Sequence, residues 1–456
     1  MVESQGKAQS RFWEIFESLD KTKISEFDAF VKKFAVDFNL YKNGEFIERA
    51  FPFDLIPRII EKSEFETLER GIAQRIEALN LFLGDVYGEQ KIIKDGVVPT
   101  EFVHTAKAFL PAFIGVEPPK NIRTHISGID LVKDTKTNDW IILEDNLRVP
   151  SGASYPLSIR KAYRKVYPEF FENLEISKVK FYPKYLEEAM NHVNCGGINV
   201  VLTPGRYNSA YYEHSYLAKE ADARLATSAD LEVEGGKLYF KNYNGQKIRV
   251  GAVYRRLDDD FLDPLEFRGD SLIGVAGITS AYRAGNVAIM NAIGNGVADD
   301  KGIYYFVPKM IRYYLGEEPI LKNAPTYLPY YDEDKKYVFE NMEKLVIKDV
   351  AEAGGYGVMF GSKMSREEIA NLKNIISEEP RRFIAQELIE FYDIECLIDG
   401  KLAPRKSDFR AYVIKGESIR LFNGGLTRYA LEAGNYLVNS SQGGGFKDTW
   451  IVGEPK

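Results

Sequence analysis

Glu144 and Asn146 stand one residue apart at the end of the apolar run WIILEDN, and chemistry is first legible at this spacing. Side chains alternate in an extended segment, so both oxygen-bearing groups point to one side while Asp145 and Leu147 point to the other. Two convergent hard oxygens at the end of an element suit a hard cation that bridges phosphate oxygens. An acid, an amide, Arg148 and Pro150 are also ordinary turn material, and these letters alone leave both explanations open.

Groups able to bind phosphate lie far downstream. VIKDVAEAGGYGVMFG sets Lys348 on or beside an apolar strand, with Gly354, Gly355 and Gly357 in the turn that follows. A glycine turn can close over phosphates with its backbone N–H groups while the lysine adds a mobile positive charge. No GK[ST] follows, so this is not a P-loop. Lys309, after an aromatic run read as a strand and a proline in IYYFVPKMI, offers a second cation. A flexible hairpin and two surface lysines account for the same residues. In FIAQELIE, Gln386 and Glu387 mark an extended segment whose backbone can hydrogen-bond a planar base.

Asp408 and Arg410 share a strand face in PRKSDFRAYV, and Arg428 follows a Gly-Gly turn. NSSQGGGFKD supplies Asn439, three glycines and Lys447, donors suited to an anion or an acyl phosphate, or to a mobile polar loop. VYRRLDDDFLD joins Arg255 and Arg256 to a run of aspartates. An Arg there could grip a substrate carboxylate in bidentate fashion, and an internal ion-pair network explains the same pattern.

The elements that position these groups follow from periodicity. Apolar residues at three- and four-residue steps predict that residues 1–83 are largely helical, with the strongest helix in FETLERGIAQRIEALNLFLGDVYG, and another helix in PTEFVHTAKAFLPAF. IRTHISGIDLVKD and WIILEDNLRV read as paired strands, followed by a helix in SYPLSIRKAYRKVYP. The middle of the chain alternates strand and helix as a small parallel α/β layer, and residues 303–456 combine short β-rich runs, glycine turns and one helix at MSREEIANLKNII.

With 456 residues, the chain exceeds what one hydrophobic core usually organises, so two or three subdomains are expected. A net charge of -7 gives no support to a nucleic-acid partner. Two cysteines, Cys195 and Cys396, are too few for a disulfide scaffold, and four scattered histidines form no zinc pattern. No leader-like or membrane-length apolar run is present, so a cytoplasmic protein without membrane partners is expected. The 28 Tyr and 28 Phe could serve an oligomeric interface or fill several small cores.

Together GIDLVKDTKTNDWIILEDNLRVPSG, VIKDVAEAGGYGVMFG, PRKSDFRAYV, GGLTRYA and NSSQGGGFKDTW resemble the circularly permuted ATP-grasp family (type 2), with its glutathionylspermidine-synthase-like carboxylate–amine ligases. The resemblance covers most of residues 80–456. It implies an α+β fold: a helical region at 1–83, a permuted core segment with metal-binding strands at 84–168, an inserted accessory α/β substrate subdomain at 169–300, and a nucleotide-binding and catalytic region at 301–456. It further implies ATP and magnesium, with Asp130, Glu144 and Asn146 on the metal. Lys309, Lys348 and the Gly354–Gly357 loop would hold phosphates, and Gln386 and Glu387 would form the adenine hinge. Arg410, Arg428, Lys447 and Asn439 would act on the transferring phosphoryl group. Arg148, Ser151, Tyr211, Glu213, His214, Arg255 and Arg256 are expected on the substrate side.

LATSADL departs from the family's usual LVEGxDL, which loosens the substrate assignment. The implied reaction joins a small-molecule or peptide carboxylate to an amine through an acyl phosphate. Two other functions remain open: a kinase that releases its phosphorylated product, and a nucleotide-binding scaffold with little turnover.

Overall fold

The computed structural model describes residues 7–19, 22–33, 37–42, 45–50, 52–350, 357–398, 400–436, 438 and 444–453, so Gly354, Gly355 and Asn439 lie outside the described residues. A mixed nine-stranded sheet organises the chain. Its main path runs through Lys322–Asn323, Trp140–Asn146, Ile126–Lys133, Lys401–Lys415, Leu426–Tyr429, Gly445–Val452 and Arg58–Glu61. Strands from both ends of the chain therefore lie side by side, and Arg410 is opposite Asp130 although 280 residues separate them.

The helix Lys62–Val86 buries Leu68, Ile72, Ile76 and Leu79 against one face of this sheet, where Ile129, Leu131 and Phe409 meet it. On the other face the helices Ser154–Val166 and Tyr182–Val193 cover Tyr412 and Ile414. Residues two apart on a strand share a face. Asp408 and Arg410 thus point to the same side as Tyr412, but Asp408 lies beyond the covering helices and borders a cleft.

A four-stranded sheet, ordered Thr326–Tyr327, Phe383–Glu387, Leu345–Asp349 and Val358–Phe360, forms the opposite wall of that cleft. Behind it lies the helix Arg366–Glu378, begun by a capping box between Ser365 and Glu368. A further six-stranded sheet occupies residues 198–290, with Ile198–Leu202, Arg224–Ala226, Lys247–Arg255 and Ala288–Met290 in parallel. Asn291 links this layer to the main sheet. Its side chain accepts from the His125 and Ile126 amides and donates to the Ile126, Leu147 and Arg148 carbonyls, fixing both strands of the 126–146 hairpin at one end.

Three expectations change. The helix Lys23–Lys33 is followed by two antiparallel strands, Asp37–Lys42 paired with Glu45–Ala50, where helical periodicity predicts more helix. PTEFVHTAKAFLPAF forms only the short helix Thr100–His104 and a 3-10 turn, Pro111–Phe113. IYYFVPKM is helical within Lys301–Met310, because Asp300 caps its start through the Gly302 and Ile303 amides, while Ile303, Phe306, Val307 and Met310 are buried. Most of the tyrosines and phenylalanines that could have served an interface are instead spread through the cores.

Candidate active site

The cleft between the two sheets, open to solvent, offers about 830 Å³ of space. On the main sheet Asp130 faces both Glu144 and Arg410 across adjacent strands, and Asp408 faces Arg428. These pairings place the five side chains on one face. The register slips between Asp130 and Leu131, where Trp140–Asn146 carries one extra residue. That bulge lets consecutive residues Leu143 and Glu144 both border the cleft, which a regular strand forbids. Asp145 turns away as its alternation requires and forms a buried two-pronged pair with Arg75, both contacts 2.6 Å.

Asp130 binds Arg410 through both oxygens, at 2.6 and 2.8 Å, and also accepts from Arg428 at 2.8 Å. Burial raises its pKa, but the two guanidiniums outweigh burial and hold it at about 2. Arg428 also grips Asp408, whose own pKa burial pushes upward. Gly128 leaves room for this arrangement: a Cβ there would lie 3.1 Å from the Pro150 side chain and 3.2 Å from Arg410 Cδ, so a larger residue would press on Arg410 where it reaches Asp130.

The smaller sheet supplies Val346, Lys348, Val358, Phe360 and Gln386 to the opposite wall. Val346 and Lys348 are two apart, as are Val358 and Phe360, so each pair shares a face. Burial lowers the Lys348 pKa to about 8, opposed by Glu144 and assisted by Lys301. Gly357 occupies a left-handed turn (φ 69°) after this strand. Gln386 donates to Thr326 Oγ1, and Glu387 is fixed at the strand end by its amide to Pro325 O and by the Tyr327 hydroxyl. Leu388 and Ile389, just beyond, also border the cleft. An apolar slot ending in a lysine, an arginine and an acid has the polarity of a nucleotide site: planar base inside, phosphates at the charged end.

Lys301 is the residue that sequence reasoning missed. It borders this cleft and lies 3.9 Å from Glu144, at the first position of its helix. Its signal was the Asp300-Lys301 pair, since an Asp cap at a helix start fixes the direction of the next side chain. Lys309 is not brought to the cleft. Two turns further along the same helix it is exposed, with its ammonium over Tyr305 and Phe306. Lys447 faces Thr427, on the opposite side of the sheet from Arg428, and is buried against Asp54 and the Glu395 carbonyl.

Several residues expected at the substrate are used inside the protein. Arg256 donates to Pro150 O, Ser151 Oγ and Glu213. Glu213 also accepts from the Gly152 and Ser154 amides. Together they hold the 148–154 turn, whose Gly152 has φ 113° and no room for a Cβ beneath the Tyr412 hydroxyl. Arg255 pairs with Asp259 and donates to the Asn291 carbonyl. His214 hydrogen-bonds Thr203, and burial followed by Arg256 pushes its pKa well down, leaving it neutral at pH 7. Tyr211 is half-buried at the start of its helix. None of these borders the cleft.

Arg148 pairs with Asp299 at 2.7 Å in a second cavity of about 1170 Å³, which shares Glu144 and Lys301 with the first. Burial raises the Asp299 pKa to about 6, against the pull of Arg148.

Magnesium keeps several water and phosphate ligands and needs only one or two protein oxygens. Glu144 fits it, since among the described residues it has only the distant Lys301 as an ion-pair partner, and the side-chain oxygen of Asn146 would be the second ligand. Asp130 fits less well, since guanidiniums take both of its oxygens. Among the described residues no group of three or more His, Cys, Asp or Glu side chains is placed to hold a metal, and no helix is long and apolar enough to cross a membrane.

The family model described as circularly permuted ATP-grasp type 2 matches residues 57–430. An uncharacterized Synechocystis protein, sll0335, is 47% identical over 422 residues, covering 91% of this chain and 87% of that protein. A Frankia casuarinae protein with the provisional name glutamate–cysteine ligase 2-2 is 38% identical over 414 residues, 90% of this chain but 48% of its own length. Among solved structures, a glutathione synthetase-like effector from Globodera pallida superposes with a TM-score of 0.60 at 10% identity, covering 95% of this chain and 98% of that one. That likeness concerns the fold alone.

Proposed function

Because this chain belongs to the circularly permuted ATP-grasp type 2 family, with its α+β fold and its general carboxylate–amine ligase chemistry, we propose that it condenses a small-molecule or peptide carboxylate with an amine at the expense of ATP. One observation carries this assignment: Glu144, Lys301, Lys348 and Arg428 converge at one end of an apolar slot whose other end is a strand-edge hinge.

In this mechanism the adenine lies against Val346, Val358 and Phe360 and hydrogen-bonds the backbone near Gln386 and Glu387. Lys301 and Lys348 take the phosphates. Magnesium, held by Glu144 and Asn146, would neutralise charge on the phosphate oxygens. A substrate carboxylate oxygen attacks the γ-phosphorus in line as the bond to ADP breaks. Arg428 and Arg410, aimed by Asp130 and Asp408, balance the charge that develops on the transferring group. The amine nitrogen then attacks the acyl carbon, inorganic phosphate leaves, and the nitrogen gives up a proton to form the amide. Residues 169–300 shape the acceptor side in this scheme, and 301–456 hold the nucleotide.

The test is release of ADP and phosphate from Mg-ATP across a carboxylate library, with and without an amine pool, followed by mass analysis. The expected product has the mass of a condensation, requires the amine, and disappears in Glu144→Gln and Lys348→Ala. A stable phosphorylated product formed without amine would overturn the ligase in favour of a kinase.

A further inference from the structure

Arg381 and Arg382 are consecutive, at the end of the 3-10 turn Pro380–Arg382 that leads into the strand Phe383–Glu387. Each reaches an aspartate, and each of those aspartates is the chain neighbour of a cleft lysine. The Nη2 of Arg381 donates to Asp300 Oδ2 at 2.9 Å, and Lys301 directly follows Asp300. The Nε of Arg382 donates to Asp349 Oδ2 at 2.7 Å, and Lys348 directly precedes Asp349. One dipeptide thus ties together the two segments that carry the phosphate lysines, although those segments are remote in sequence.

The two links have different surroundings. Asp300 uses its other oxygen, Oδ1, to cap the helix Lys301–Met310 through the Gly302 and Ile303 amides, so whatever holds Asp300 also sets where Lys301 starts. Arg381 lies 4.6 Å over the Phe102 ring and donates to the Phe102 carbonyl, and Phe102 packs edge-on against Phe306 of that same helix. Arg382 belongs to the smaller sheet, where its carbonyl accepts from the Val350 amide and Asp349 is in register with Phe383. A link built for stability would use its donors fully, since a buried donor without an acceptor is costly. Arg381 instead leaves Nε and Nη1 buried with no hydrogen-bond partner among the described residues, while Nη2 fixes Asp300 and Phe102.

Lys301 and Lys348 border the same cleft with like charges, and Lys301 adds to the burial that lowers the Lys348 pKa. A triphosphate binds best when both cations are held at the spacing of its oxygens before it arrives, because any ordering still to be done costs affinity. We propose that Arg381 is a positioning residue: with Arg382 anchoring the Lys348 side, its bond to Asp300 sets the separation of the Lys301 and Lys348 ammonium groups and so preorganises the grip on the nucleotide phosphates. The inference rests on the nucleotide assignment of the cleft. Arg381 does not itself border the cleft, so it acts through Lys301.

The experiment measures the affinity of the full chain for Mg-ATP and for adenosine, which fills the base slot without phosphates for the lysines, by displacement of a fluorescent N-methylanthraniloyl-ATP. Arg381→Met should weaken Mg-ATP at least threefold and leave adenosine unchanged, and Arg381→Lys, which keeps a cation for Asp300, should recover most of the loss. In a Lys301→Ala background Arg381→Met should have no further effect, since the group it positions is gone. Should Arg381→Met not fold, Asp300→Asn takes its place in the same comparisons: Asn retains the cap through its side-chain oxygen and turns its amide toward the guanidinium, which breaks the ion pair. The inference is overturned if breaking the pair weakens Mg-ATP less than threefold, if adenosine weakens by the same factor, or if the penalty persists without Lys301. The last two outcomes would mark an arginine that serves stability alone. A wild type that binds no nucleotide would instead remove the nucleotide assignment, and this inference with it.

Discussion

Lys348→Met should make the nucleotide-free protein more stable at pH 7 while abolishing its affinity for ATP. Burial against Val346 and Val358 lowers the lysine from its ordinary 10.5 to about 8, so the folded state holds the ammonium less readily than the unfolded chain does. Between those values the unfolded chain binds more protons, and stability rises with pH. The cost of the charge is therefore fully present below pH 8 and gone above 10.5. The gap corresponds to about 3 kcal/mol for a fully desolvated group. Water in the open cleft screens it, which reduces the expected gain to about 1–2 kcal/mol.

Urea unfolding of both proteins at half-unit steps from pH 7 to 10.5 checks this. The variant's advantage should be largest at pH 7 and fade as the wild-type lysine deprotonates. Mg-ATP, which binds the folded state, should stabilise the wild type and leave the variant unchanged. A variant no more stable than the wild type at pH 7 would refute the reasoning, because Glu144 and Asp130 would then already compensate the buried charge.

Two further outcomes follow from where the side chains lie. Lys301→Ala should weaken nucleotide binding at least tenfold, whereas Lys309→Ala, at an exposed position over Tyr305, should change neither affinity nor stability beyond about 0.5 kcal/mol. Fluorescent-nucleotide titration with parallel unfolding separates them. Arg75→Ala leaves the Asp145 carboxylate buried without its partner and should cost about 3–5 kcal/mol in urea unfolding.

Local alternation determined a good part of the site in advance. The spacing of Glu144, Asp145 and Asn146 required one of the three to face away, and Asp145 does so, into Arg75. Lys348 and Gln386 on their strands and Arg410 beside Asp408 were legible for the same reason: a two-residue period needs no knowledge of partners. Helical periodicity identified Lys62–Val86 just as directly, yet it misread the strands Asp37–Lys42 and Glu45–Ala50, and the aromatic run of Lys301–Met310, read as a strand, is a helix, because apolar residues there satisfy both periods.

What the residues could not declare by themselves is which charges remain available. Arg255, Arg256, Glu213 and Lys447 carry the same letters as catalytic groups, but each finds a buried partner supplied by a distant segment. Asp130 lies among the cleft residues and gives its oxygens to two arginines brought from near the far end of the chain. Lys301 enters the cleft and Lys309 leaves it because a capped helix turns about 100° per residue. Ion pairing is settled by strand register and packing between remote segments, so the tertiary structure alone decides which of this chain's many charged side chains are free to meet a substrate.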